Sequence, residues 1–162
     1  MLIYLRHGDD RGNDIYRHDR HLNARGKKKA CKAFDKLAKK YGHPDTLFVS
    51  PFRRSLETLD AMAARFKRPV DVHRDPNVAQ YLGRKNAPLI SPETAALVAI
   101  DESLGAFQTR ISAHVEDVKR RQCVGAAIWC ITHQIVIEAV AGRFRVKIPG
   151  NLDFLDHVVM LG

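Results

Sequence analysis

The stretch Leu2-Ile3-Tyr4-Leu5-Arg6-His7-Gly8 decides how the chain is read. An apolar run of strand type stops abruptly in a fixed cation, an imidazole and a glycine. Two later stretches repeat the arrangement. Thr46-Leu47-Phe48-Val49 runs into Ser50-Pro51-Phe52-Arg53-Arg54, and Ala126 to Ile131 runs into Thr132-His133. If the three strands are parallel neighbours, two histidines and up to three arginines converge on one edge of a sheet.

Working outward, the chain alternates strand and helix patterns. Residues 2–6 form the first strand. Gly8 to Asn23 is a polar loop, long for a compact domain, and loops of that length are often functional. Asn23 caps a helix over 24–41, and Gly42 stops it. In that helix Ala30, Ala33, Phe34, Leu37, Ala38 and Tyr41 make the buried stripe. Lys27, Lys28, Lys29, Lys32, Lys36, Lys39 and Lys40 take the other face, either as a solvated surface or as an attractor for an anionic partner. A strand over 46–49, a helix over 53–66 and a short strand over 70–73 follow. Prolines and a glycine break up residues 75–100, with one short helix over 92–100 opened by Ser91 and Pro92. A helix over 103–121 precedes an apolar strand over 126–131, apolar throughout as in a strand buried on both faces. A helix over 135–142, a Pro149-Gly150 turn and a last strand near 157–161 close the chain. Such alternation implies an α/β fold, with a mostly parallel open sheet flanked by helices in three layers. Ligands of such sheets bind beyond the carboxyl ends of the strands, where all three strand-end motifs lie.

At 162 residues the chain is expected to form a single domain with a real core. Hydrophobic content of 45% and charged content of 28% suit a soluble globular protein. No apolar run approaches the roughly 18 residues that cross a bilayer, so no membrane partner is expected. The N-terminus lacks a signal-peptide pattern. Cys31, Cys123 and Cys130 lack CxxC spacing and read as free thiols of a reducing, cytoplasmic compartment. The net charge of +9 favours anionic partners. Nucleic acid is disfavoured, because the lysines lack interleaved aromatics or a reading element.

The strand-end residues suit phosphoryl transfer. A tetrahedral, multiply charged phosphoryl group needs fixed cationic donors, and arginine supplies rigid forked ones. A neutral histidine can attack phosphorus and form a covalent intermediate. A second histidine can donate to a phosphoryl oxygen. No cofactor or metal is called for: His18 and His21 have HxxH spacing but lack a local ligand set, and they read as surface residues.

These motifs resemble the histidine phosphatase superfamily, the phosphoglycerate mutase-like branch that includes small bacterial phosphohistidine phosphatases. Arg6-His7-Gly8 after an apolar strand is its hallmark. Asn13 matches an asparagine five residues beyond the glycine. Asp19 to Gly26 resembles D-x-x-L-T-x-x-G, with Asn23 for the threonine. Ser50 to Leu59 resembles S-x-L-x-R-A-x-x-T-A. Glu102-Ser103 resembles G-E-S, with Asp101 for the glycine, and Ile131-Thr132-His133 resembles the strand ending in T-H-G, with Gln134 for the glycine. The resemblance implies that His7 is the phosphorylated nucleophile. It implies that Arg6, Arg54 and His133 bind phosphoryl oxygens with help from Asn13, and that Arg53 is a rim cation.

The chain departs from the family at the proton donor. Where most members carry a glutamate after the third strand, the nearest counterpart is Gln80. Where the acid phosphatase branch has an aspartate after the second histidine, Gln134 stands. Asp9, Asp10, Asp75, Glu93 and Glu102 remain as carboxylate candidates. Alkyl phosphates leave as basic alkoxides and depend on a donor, worth ~10²–10⁴-fold; phosphohistidine leaves as an imidazole, a far better leaving group. The expected activity is therefore metal-independent removal of a phosphoryl group through His7, from phosphohistidine on a phosphoprotein or from another activated phosphoryl compound. A broad small-molecule phosphomonoesterase and a non-catalytic phosphate-binding module are the alternatives.

Overall fold

A computed structural model describes residues 1–10, 20–82, 90–98, 101–122, 125–148 and 152–160. Its elements run β1 (Leu2–Arg6), α1 (Ala24–Tyr41), β2 (Thr46–Val49), α2 (Arg53–Ala63), β3 (Asp71–Arg74), α3 (Pro92–Ala95), α4 (Leu104–Arg121), β4 (Ile128–Thr132), α5 (Gln134–Phe144) and β5 (His157–Met160). A 3-10 turn, Pro76–Val78, follows β3.

The five strands form one sheet in the order β3-β2-β4-β1-β5. β1, β4, β2 and β3 are parallel, and β5 pairs antiparallel with β1. The three strands that end in Arg6-His7, Ser50 and Thr132-His133 are thus neighbours, with β4 in the middle. Their apolar runs are continuous because both faces are covered. Leu2, Tyr4, Phe48, Ile128 and Cys130 pack with α4 and α5 through Phe107, Ile111, Val115, Val136 and Val140. Ile3, Leu5, Leu47, Val49, Trp129 and Ile131 face the opposite layer and meet Ala30, Phe34, Leu37 and Met62 of α1 and α2. This is the three-layer α/β sandwich that the alternation implied. None of the helices among the described residues is long and apolar enough to cross a membrane.

Local chemistry sets the boundaries. The Asn23 side chain accepts from Gly26 N at 2.7 Å, and Gly42, at φ +84°, ends α1. α2 stops at Ala63 rather than 66, because Arg65 N and Phe66 N turn back to the carbonyls of Met62 and Ala63. Ser91 and Ser103 cap α3 and α4 through their hydroxyls. α3 is shorter than expected and ends in a turn, with 99–100 outside the described residues. β4 begins two residues later than its apolar pattern and runs on through Thr132. Asp101 adopts φ +67°, a conformation open to glycine at little cost, at the place where the resembling pattern has one. The Pro149-Gly150 turn lies outside the described residues.

Candidate active site

The sheet ladder carries the reactive residues past the strand ends. His7 N donates to Thr132 O at 2.9 Å, and Ser50 N donates to Ile131 O at 3.0 Å. Gly8 N then donates to Thr58 Oγ1 of α2 at 2.9 Å. The loop after His7 lies tightly on α1: a Cβ on Gly26 would sit 2.3 Å from the Asp9 carbonyl oxygen, so glycine is required there. His133 occupies the N-cap of α5 and Phe52 that of α2. Both helices therefore start at this edge of the sheet, an arrangement that favours an anion.

His7 is 4% exposed, His133 2% and Arg54 4%, so their mutual contacts are made out of water. The His7 Nδ1 lies 2.8 Å from the Gly8 carbonyl, which can only accept; Nδ1 therefore carries the proton and Nε2 the lone pair. Arg54 Nε donates to that Nε2 at 3.0 Å. Burial, then the Arg54 guanidinium, hold His7 well below the ordinary histidine range, so the ring is neutral. His133 is held low for the same two reasons, in the same order. Its Nδ1 accepts from Arg54 Nη2 at 3.1 Å, so its proton sits on Nε2 and is donated to Ser50 Oγ at 2.7 Å. With its proton directed at Ser50, His133 here orients Arg54.

Arg6, His7, Arg54 and His133 line one cavity of about 440 Å³, together with Asp10, Arg20, Gln80, Gln134, Glu138 and Phe154. The Arg6 guanidinium stacks on Phe154 at 4.4 Å, and its Nη1 donates to Leu152 O. Its Nε is buried with no hydrogen-bond partner among the described residues, a donor that an anion would satisfy. Asp10 Oδ2 lies 3.6 Å from the Nε atoms of both Arg54 and Arg20. Arg53 lies outside this set and approaches His21 Nε2 at 3.0 Å. Asn13, His18 and Asp19 lie outside the described residues.

The carboxylate candidates separate clearly. Asp75 pairs with His114, Glu102 with Arg110, and Asp9 accepts from Asn23. Glu93 is exposed on α3. Of the five, Asp10 alone is among the cavity's lining residues. Gln80 does stand in the cavity, where its Oε1 accepts from Arg54 Nη2 at 2.6 Å. Glu138, Arg20 and Phe154 are among the lining residues that escaped the sequence reading. Glu138 had a signal: it lies one helical turn beyond Gln134, whose Nε2 donates to it at 2.7 Å. Arg20 was one cation among many, and Phe154, in the approach to β5, had no signal at all. Among the described residues, no group of His, Cys, Asp and Glu gathers as a metal-binding set.

The family model described as histidine phosphatase superfamily (branch 1) matches residues 2–81, the segment from β1 through Tyr81. The chain belongs to that superfamily.

Solved structures share the fold at low identity. The protein histidine phosphatase SixA, complexed with tungstate, aligns with a TM-score of 0.60 and 18% identity over 86% of this chain and 74% of that one. A mycobacterial glucosyl-3-phosphoglycerate phosphatase gives 0.69 and 18% over 96% and 87%. The ecdysone phosphate phosphatase of Bombix mori, with tungstate, gives 0.66 and 16% over 96% and 86%. No curated protein sequence matches the chain.

Proposed function

We propose that this protein is a phosphatase that works through a phosphohistidine at His7, with residues 1–162 acting as a single histidine phosphatase-like domain. The observation that carries the reading is the tautomer of His7. Its proton is committed to the Gly8 carbonyl, and its Nε2 lone pair faces the cavity beside a guanidinium. In the first step Nε2 forms a bond to phosphorus, and the leaving group departs with the electrons of its own bond. In the second, water attacks phosphorus, the bond to Nε2 breaks, and inorganic phosphate leaves while the water proton passes to solvent. Arg54 and Arg6 bind the phosphoryl oxygens, and the Arg54 Nε donor passes from the imidazole to an oxygen as the group enters. A dianion beside His133 favours a proton on its Nδ1, which turns that histidine from acceptor to donor. Asn13 is assigned a helping role on the resemblance alone.

The preferred substrate is phosphohistidine on a protein, or another activated phosphoryl compound. Gln80 supports this: it stands against Arg54 and has no proton of carboxylic acidity to give. SixA, which shares the fold, is by name a protein histidine phosphatase. Glu138 at the cavity supports a second reading, a broader phosphomonoesterase with that residue as its acid. The chemistry proposed requires no metal. Cys31 and Cys130 are free thiols, which suits a reducing, cytoplasmic setting.

The test is a phosphoenzyme trap. Wild type, acid-quenched with phosphoramidate, should carry an acid-labile phosphoryl group that maps to His7 and is missing from His7→Ala. Turnover of phosphoramidate and of a phosphohistidine protein should fall at least ~10³-fold in that variant. A label that persists in His7→Ala refutes the nucleophile. Faster hydrolysis of sugar phosphates than of phosphohistidine refutes the substrate preference.

A further inference from the structure

We infer that α1 is the docking surface for the acidic face of a phosphoprotein substrate; the inference rests on the function proposed above. Arg25, Lys28, Lys32, Lys36 and Lys39 are all exposed. Their spacings of three and four put them on one side of the helix, a ridge spanning roughly 21 Å at about 1.5 Å per residue. None of the five has an ion-pair partner among the described residues. The neighbouring Asp35 is taken by Arg65, and Lys27 is the α1 lysine that leans on a carboxylate, Glu57.

The helix that carries the ridge starts beside the residues that follow His7. The first turn of α1 packs on the residues just past His7: Asn23 N donates to Asp9 O at 3.1 Å, and Gly26 lies against the Asp9 backbone. A protein whose phosphorylated side chain enters the cavity can therefore lay its surface along α1.

The sequence gives up helix stability to build this face. Lys28, Lys32 and Lys36 repel one another at i,i+4 spacing. The first turn of α1 has no acidic residue to meet the helix dipole and carries cations instead. Local charge rules are broken this way where function requires it. The chemistry of the face selects a protein. A membrane-surface helix needs exposed apolar residues, whereas the apolar stripe of α1 is buried in the core and its large exposed side chains are charged. Nucleic acid readers interleave aromatics or arginine forks, and this ridge is lysine-rich without aromatics. Long, mobile lysines steer an acidic protein from a distance and make association salt-dependent.

The experiment compares wild type with the triple variants K28E/K32E/K36E and K28Q/K32Q/K36Q. The substrates are phosphoramidate and an acidic phosphotransfer domain phosphorylated on histidine. At low ionic strength kcat/KM for the domain should fall ~30-fold in the glutamate variant and less in the glutamine variant, with the salt dependence largely lost. Phosphoramidate turnover should stay within about two-fold. Unchanged turnover of the domain overturns the inference, as does an equal fall on both substrates in the glutamine variant. Binding of the phosphorylated domain to His7→Ala, with and without the lysine changes, reads the ridge without turnover. Loss of that binding supports the ridge even if wild type hydrolyses neither substrate, a result that would instead refute the proposed function. Lysine-dependent binding of RNA or anionic vesicles, with binding of the domain unaffected, also overturns it.

Discussion

His7 and His114 are both buried and both hydrogen-bonded, yet they sit in opposite electrostatic settings. His7 faces a cavity, accepts from Arg54 and donates to the Gly8 carbonyl. His114 is enclosed between α4 and the sheet. Its Nδ1 is 2.9 Å from Asp75 Oδ2, and its Nε2 lies 3.9 Å from Cys130 Sγ, with Tyr4 and Phe48 edge-on to the ring. On paper Asp75, His114 and Cys130 form the acid-base-nucleophile sequence of a cysteine hydrolase. In the fold none of the three lines the cavity that His7 faces, and His114 and Cys130 are buried. Burial, then Asp75, push the Cys130 thiol well up, so it is not a thiolate. Burial of a histidine does not make a site. What distinguishes His7 is the surrounding charge and an adjoining space.

Changes on the two sides should separate activity from stability. The largest effect is expected from Arg54→Lys. It removes the planar fork that reaches His7, His133 and Gln80 together, and kcat/KM should fall ~10²–10³-fold with little change in Tm. A loss below ten-fold would show that the fork does not matter. His114→Ala should do the reverse. It breaks a buried pair and should cost about 3 kcal/mol in urea unfolding, while kcat of the folded fraction stays within about three-fold. A large fall in kcat at full folding would make the Asp75 chain part of the machinery.

Gln80→Glu sharpens the boundary between substrate classes. It should raise alkyl phosphate turnover by ~10-fold and leave phosphoramidate turnover nearly unchanged. No gain on alkyl phosphates would leave the missing acid unrelated to position 80. The last effect concerns pH. Ring-proton NMR should show His7 and His133 still neutral at pH 5.5, where a free histidine is ~90% protonated. Below about pH 6.5 the unfolded chain takes up protons that these two folded rings refuse. Stability should therefore fall as pH falls, by up to about 1.4 kcal/mol per pH unit for each ring. Asp75 acts in the same direction at lower pH. Burial alone would raise its carboxyl, but the His114 hydrogen bond and charge outweigh burial and hold it low. Its contribution is present above the ordinary aspartate range and is lost as pH falls through its lowered folded value. A ring that titrates near 6.5 would contradict the packing around it.

Much of this was legible in the chain. Strand runs without alternation, helices with an apolar stripe, and cap residues at Asn23, Ser91 and Ser103 are local signals, because side-chain periodicity and capping act within a few residues. They implied the layers, and the abrupt ends of three strands implied the convergence of Arg6, His7, Arg54 and His133. The antiparallel β5 was not legible, because strand direction depends on what the edge of the sheet leaves unpaired. Arg20, Phe154 and the partner of Asp75 were hidden for a similar reason: each acts across a contact between distant segments.

Sequence alone determined which groups could do chemistry, since an imidazole and a guanidinium keep their character in any fold, and it placed them at the ends of parallel strands. Only the tertiary structure decided their states. The Gly8 carbonyl fixes the proton of His7 on Nδ1, Arg54 holds the lone pairs of both histidines, and the core closes around His114 while the sheet edge stays open at His7. Protonation and access depend on dielectric and on neighbours brought from far along the chain, and those exist only once the chain is folded.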